Sequence, residues 1–166
     1  NRIVIHKTTH FTKEEMEGIT KGLAGVDNIE LLQIQEFSAW RAIRFQHDVA
    51  TPFPIQRGTV IPLDKDTFLI WTHGSVQHDE LAGKNLNYYK NGRGIPAPLL
   101  VKRFMGKSSA LELVNEILML TKMNWNSGDG LYKILPVTLD FAKVLSRVAK
   151  QDLVVYDRPY NFRYFM

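Results

Sequence analysis

An ammonium, two amides and a hydroxyl stand close together in Leu120-Thr-Lys-Met-Asn-Trp-Asn-Ser-Gly-Asp-Gly130. Lys122, Asn124, Asn126 and Ser127 are groups that solvate an anion and pack poorly in an apolar core. Few packing reasons place them together between two helices, so the loop suits a polyanion. Hydrolytic chemistry is harder to find. Two-metal phosphoryl transfer needs several carboxylates around ions about 4 Å apart. The first strand runs out in His6-Lys7-Thr8-Thr9 with no acid, and the last helix offers Asp140 and then Lys143, an ammonium where a metal needs an oxygen. No Gly-x-Ser-x-Gly elbow occurs. Gly106-Lys107-Ser108 lacks the upstream glycine of a phosphate loop, and Gly92-x-Gly94 lacks a third glycine. His6 and His10 straddle a strand end and a turn, a poor frame for zinc without cysteine or an acidic pair. His73, beside Gly74 at a strand end, is better placed to donate a hydrogen bond to a phosphate.

The elements that would carry these groups follow from period and capping. Residues 2–8 read as a buried strand. Thr12 with Glu15 forms a capping box, Phe11 and Met16 sit at staple positions, and Gly25 is the expected stop. Residues 29–37 and 40–45 read as a strand pair, and 47–57, with two prolines, as a loop. Short strands are expected at 59–63, 67–72 and 99–104. The polar stretch 74–94 suits a partner-dependent segment. Ser109 with Glu112 opens a second helix whose stripe is Leu111, Val114, Ile117, Leu118 and Thr121. Val137, Phe141, Val144, Leu145 and Val148 form the stripe of the last. Strands with helices around them give an α/β class with a mixed sheet.

At 166 residues the chain is long enough for one domain with its own core. No run approaches the eighteen or so apolar residues of a membrane span. The absence of cysteine excludes disulfides and thiolate metal sites and fits a reducing cytoplasm. The net charge of +4 is unevenly spread. Residues 1–83 hold eight Lys/Arg against eleven Asp/Glu, a balance of −3; residues 84–166 hold thirteen against six, a balance of +7. Such a split suits a nucleic-acid partner for the C-terminal half, or a solvated surface with none.

Read in order, Gly58-Thr59, Phe68-Leu-Ile-Trp-Thr-His73-Gly74, Ile95-Pro-Ala-Pro-Leu-Leu-Val101, Leu135-Pro136-Val137 and the terminal Arg-Tyr-Phe-Met166 resemble the second half of an Argonaute PIWI domain. Ile5-His-Lys-Thr8, Glu15, Gly18 and Leu120-Thr-Lys-Met-Asn-Trp-Asn126 are most similar to the prokaryotic long-B branch, whose members are generally cleavage-inactive. The resemblance covers essentially the whole chain. It implies an RNase H-like mixed sheet flanked by helices, with residues 1–166 as the C-terminal part of the domain. The first PIWI strands and the N-terminal, PAZ and MID modules would precede Asn1, which is no start methionine.

The resemblance also implies roles. In slicing members an Asp stands at the place of Thr8, and a further Asp or His at that of Lys143, so both are degenerate catalytic positions. Arg44 and His73 match residues that contact guide phosphates. Lys122, Asn126 and Ser127 fall in the loop that approaches the seed backbone, with Asn126 in place of a family Arg. The Met166 carboxylate resembles one that ligates Mg²⁺ at the guide 5′-phosphate, where a carboxylate beside phosphates needs a cation between them. The implied partners are a short 5′-phosphorylated guide, expected to be RNA, a complementary target, expected to be DNA, and a partner nuclease or effector. The rival readings are a metal-dependent nuclease built on Asp140 with upstream acids, and an interaction scaffold.

Overall fold

A computed structural model of the chain describes residues 1–37, 39–76, 94–123 and 133–150. Strand β1 (Arg2–Lys7), helix α1 (Lys13–Gly22) and strand β2 (Asn28–Glu36) form a parallel β–α–β unit, with Ile3 opposite Ile29 and Ile5 opposite Leu31. The Thr12 box forms in both directions, Thr12 accepting from the Glu15 N–H at 3.2 Å and its own N–H donating to Glu15 at 2.9 Å. The helix stops at Gly22 with Leu23 as its cap, three residues before Gly25.

Strands β5 (Val60–Pro62), β6 (Thr67–Ile70) and β7 (Leu99–Met105) complete a five-stranded mixed sheet in the order β1-β2-β7-β6-β5. The expected pairing of residues 29–37 with 40–45 does not form. β2 takes β7 as its antiparallel neighbour instead, while β3 (Ile43–Gln46) pairs with β4 (Val49–Pro54) in a separate two-stranded ribbon. The 47–57 stretch is therefore half strand. Pro52 and Pro54 are tolerated because a two-stranded ribbon is all edge. The turn is built by His47 and Asp48, both at positive φ (49° and 60°), the two-residue geometry that matches strand twist.

One sheet face presents Leu32, Ile34, Phe68, Ile70, Leu99 and Val101 to helix α2 (Ala110–Leu120), which buries Leu113, Val114 and Ile117, and to Leu135 and Leu139 at the start of helix α3 (Val137–Ala149). The α2 stripe is rotated from the one expected: Leu111 is 70% exposed and Leu113 takes its place. Among the described side chains of α3, deep burial is confined to the entry turn, and Val144 lies at the surface. Among the described residues no helix is long and apolar enough to cross a membrane.

The turn from β7 into α2 is organised by a carboxylate. Glu30, fully buried on β2, accepts the backbone N–H of Lys107 at 2.8 Å and of Ser108 at 2.7 Å. Gly106 lies at φ +135°, and a Cβ there would fall on the Glu30 carboxylate. Arg103 braces the turn by donating to the Ser108 carbonyl at 2.7 Å and to Asp66. Ser109 then caps α2 in a complete capping box with Glu112. Two amides of Gly106-Lys107-Ser108, those of Lys107 and Ser108, thus do bind an anion, and it is the protein's own.

Burial pushes the Glu30 carboxyl up, but hydrogen bonds from Ser108, Lys107 and the Asn28 side chain outweigh it and hold the group below its ordinary value of 4.5. A depressed carboxyl stabilises the fold above that value and loses its contribution as pH falls through the folded pKa. Thermal melts of the intact protein should therefore show Glu30→Gln losing less stability than the native chain on acidification below 4.5. At constant pH, Gly106→Ala should cost roughly 3 kcal/mol or more through collision and strain. Gly18→Ala, in helix α1 with open space at the added methyl, should instead gain ~0.5–1 kcal/mol.

Candidate functional site

Two groups of candidate side chains are assembled by this frame. The first lies at the C-terminal end of β1, where α3 crosses it. Parallel strands end in open backbone groups there, and crevices at such ends are the common ligand sites of α/β sheets. Leu135-Pro136-Val137 is buried, and the Pro136 carbonyl accepts from the Leu139 and Asp140 N–H groups, so α3 starts from a fixed point. The His6 Nδ1 lies 2.8 Å from the Thr138 hydroxyl and ties strand to helix.

Between them is a cleft of about 440 Å³. His6, Lys7 and Thr8 line it from β1 and the residue after it, and Leu139, Ala142, Lys143, Ser146, Arg147 and Lys150 from α3 and the residue after it. Thr8 and Lys143, 135 positions apart in the chain, thus face one space. Lys7 donates to Glu15 and to the His10 carbonyl at 3.1 Å, and its ammonium stands 5.2 Å from the Phe11 ring centre. Lys143 reaches Glu36 at 3.5 Å. Neither glutamate lines the cleft. Asp140, the carboxylate of the nuclease alternative, does not line it either. Burial pushes its carboxyl up, Glu36 adds to the shift, and Lys133 and Lys143 oppose it.

A hydroxyl and a cluster of ammonium and guanidinium groups do not fit a pair of divalent ions, which need anionic oxygens. Among the described residues no three His, Asp or Glu lie close enough to hold a metal. The cleft fits an anion. Sequence reasoning singled out Thr8 and Lys143 here but missed Arg147 and Lys150. Their signal was available: 143, 147 and 150 share one helical face.

The second group surrounds the ends of β6 and α2. Arg57 donates from one guanidinium nitrogen to the Leu118 carbonyl and the Thr121 hydroxyl, both at 2.8 Å, placing a cation on the negative end of α2. Lys122 follows, exposed. The Lys133 N–H donates to the Thr121 carbonyl at 3.3 Å, and the Thr72 hydroxyl to the Ile134 carbonyl at 2.7 Å. His73 is thereby held next to the root from which Lys122 projects. Arg44, on β3, reaches the Ser75 hydroxyl at 3.4 Å, two residues beyond His73. The intervening Gly74 sits at φ +149° against the Ile55 carbonyl, where no Cβ fits. Arg44, His73 and Lys122 are thus gathered on one connected set of contacts. Asn126, Ser127 and Met166 lie outside the described residues. Arg57 and Ser75, which brace this group, carry no local sequence signal, because their partners lie far along the chain.

No family model and no curated protein matches the chain. Solved structures do. Clostridium butyricum Argonaute bound to a guide DNA and a 19-mer target DNA superposes with a TM-score of 0.64 at 16% identity, over 90% of this chain and 17% of that one. Aa-Ago with externally bound siRNA gives 0.65 at 19%, over 99% and 20%. Marinitoga piezophila Argonaute with a 5′-OH guide RNA gives 0.55 at 16%, over 96% and 20%. The chain therefore spans about a fifth of the length of the structures it matches, and at these identities the likeness is one of fold. That fold is the α/β mixed sheet flanked by helices expected for a PIWI-like unit.

Desolvation lowers the His6 pKa to about 4, with Glu116 pulling weakly the other way. The ring is neutral at physiological pH, and the fold loses stability as pH falls from the ordinary 6.5 toward 4. A proton NMR titration should give His6 a midpoint near 4, well below the ordinary 6.5.

Proposed function

We infer that the chain is the guide-binding part of an Argonaute-like protein that pairs a short guide with a complementary strand and does not cut it. The observation that carries this reading is the cleft at the end of β1, where Thr8 and Lys143 meet among further cations and, among the described residues, no carboxylate lines the wall. Its support from relatives is limited to fold and to what they hold: a guide and target DNA in the Clostridium butyricum protein, a guide RNA in the Marinitoga piezophila protein.

In this reading Arg44, His73 and Lys122 hold backbone phosphates of the guide seed. Asn126 and Ser127 extend the same surface with neutral donors. The guide carries a 5′-phosphate and is RNA, and its target is DNA. Base pairing supplies the specificity and the protein supplies charge and shape, so binding weakens with salt. The Met166 carboxylate, with Mg²⁺ beside it, serves the 5′-phosphate. That ion would offset repulsion between carboxylate and phosphate. Interference with the target then falls to a separate nuclease or effector.

The test is an incubation of the intact protein with a 5′-phosphorylated guide and an end-labelled matched target in Mg²⁺ or Mn²⁺. The target should remain whole, and a 5′-phosphorylated guide should be retained at least about tenfold better than a 5′-hydroxyl one, more than about 1.4 kcal/mol. Site-specific cutting that disappears in Asp140→Ala would establish the nuclease instead. Equal retention of the two guides would leave only a scaffold.

A further inference from the structure

A phosphate held by Lys122 meets an electrostatic obstacle. Lys122 directly follows Thr121, the cap at the C-terminal end of α2. A helix presents carbonyl oxygens there and about half a negative charge. Helix N-termini attract anions, and C-termini repel them. The last turn of α2 carries no basic side chain to offset this. An anion at Lys122 therefore needs a cation from elsewhere in the fold.

Arg57 supplies it. The residue lies in the turn before β5, 61 positions from Leu118 in the chain. Its Nη2 donates to the Leu118 carbonyl and to the Thr121 hydroxyl, both at 2.8 Å. The Thr121 hydroxyl donates in turn to the same Leu118 carbonyl at 2.7 Å, and Thr121 is buried. A charge seated in a half-buried contact of this kind is screened by salt much less than a surface pair. Arg57 also reaches the other half of the site. Its backbone N–H donates to the Ser75 carbonyl at 2.9 Å, and the Ser75 hydroxyl accepts from Arg44. One residue thus touches the root of Lys122 and the support of Arg44 and His73.

We propose that Arg57 is the counter-charge of α2: it neutralises the negative end of the helix and so allows a phosphate to sit at Lys122, without touching that phosphate. The inference rests on the guide-binding reading above and adds to it a positioning residue that acts through the helix end. The Nη2 nitrogen is committed to two protein oxygens, so its charge reaches the ligand across α2. Affinity at Lys122 then depends on a residue outside the surface that grips the strand.

The intact protein is titrated with a labelled 5′-phosphorylated guide over a range of salt, and affinity is read per folded molecule. Arg57→Met should weaken retention about tenfold, as expected for a charge at a partly buried helix end, and leave the slope of log affinity against log salt unchanged. Lys122→Ala should instead lower that slope by about one, the sign of a lost phosphate contact. Arg57→Lys keeps the charge and should recover most of the lost affinity. Arg57→Gln keeps a donor without the charge and should bind as weakly as Arg57→Met. A slope that falls by about one in Arg57→Met overturns the proposal, because Arg57 then grips a phosphate itself. Native retention in Arg57→Met or Arg57→Gln also overturns it, leaving a structural brace. Melting of both neutral variants below the assay temperature does the same. Equal retention of 5′-phosphorylated and 5′-hydroxyl guides sinks the guide reading on its own. The same variants are then compared on a short strand without a 5′-phosphate, where the same pattern supports the counter-charge and its absence overturns it. An unchanged slope in Lys122→Ala removes the phosphate from Lys122 and overturns both.

Discussion

A buried carboxylate that finds its partners in backbone amides sets the frame on which the rest depends. Glu30 carries its charge from β2 to the turn after β7, where the Lys107 and Ser108 N–H groups receive it. An ionised group without such partners would be prohibitively costly in the interior. Its presence therefore demands that the turn close around it, with a glycine at Gly106 and the guanidinium of Arg103 behind. From that turn α2 takes its direction, and with it the Leu113, Val114 and Ile117 face of the core. Both functional groups are downstream of the same bond. The C-terminal end of α2 bears Lys122, and α3 packs onto the core that α2 helps build.

What the sequence disclosed and what it hid divide along the range of the interactions. Both capping boxes were legible because donor and acceptor lie three residues apart. The strands of the main sheet were legible from their apolar runs. Their pairing was not: β2 is matched to β7, whose register sits some seventy residues away, and nothing near residues 40–45 says that they turn aside into a ribbon. The two prolines concealed β4, since proline argues against a central strand and is silent about an edge. Glu30 carries no local signal that sets it apart on its strand. Only the fold reveals that Gly106-Lys107-Ser108, incomplete as a phosphate loop, had a carboxylate to hold.

The site divides in the same way. That Thr8 and Lys143 share a space came from resemblance and could not come from spacing, because 135 residues separate them. The helical spacing of Lys143, Arg147 and Lys150 was in plain view, but it acquires meaning only once α3 is seen to cross the end of β1. Arg44 and His73 were linked in the sequence by resemblance alone and are joined in the fold through Ser75 and a glycine that admits the Ile55 carbonyl. Charge asymmetry drew attention to the C-terminal half, which supplies Lys143, Arg147 and Lys150 to the cleft. It missed that Lys7, from the acidic half, lines the same cationic cleft.

Lys7 has a further consequence through its place on β1. In the described sheet β1 has β2 as its neighbour, and its middle is Ile3-Val4-Ile5, a short apolar run of high β-propensity. The run is bracketed by Arg2 and Lys7, each held by a glutamate from a neighbouring helix, Glu116 on α2 and Glu15 on α1. The lysine that lines the cleft is thus also one of two clasps that fasten the ends of this strand to different helices, so a change at Lys7 alters the strand's anchoring as well as the charge of the cleft.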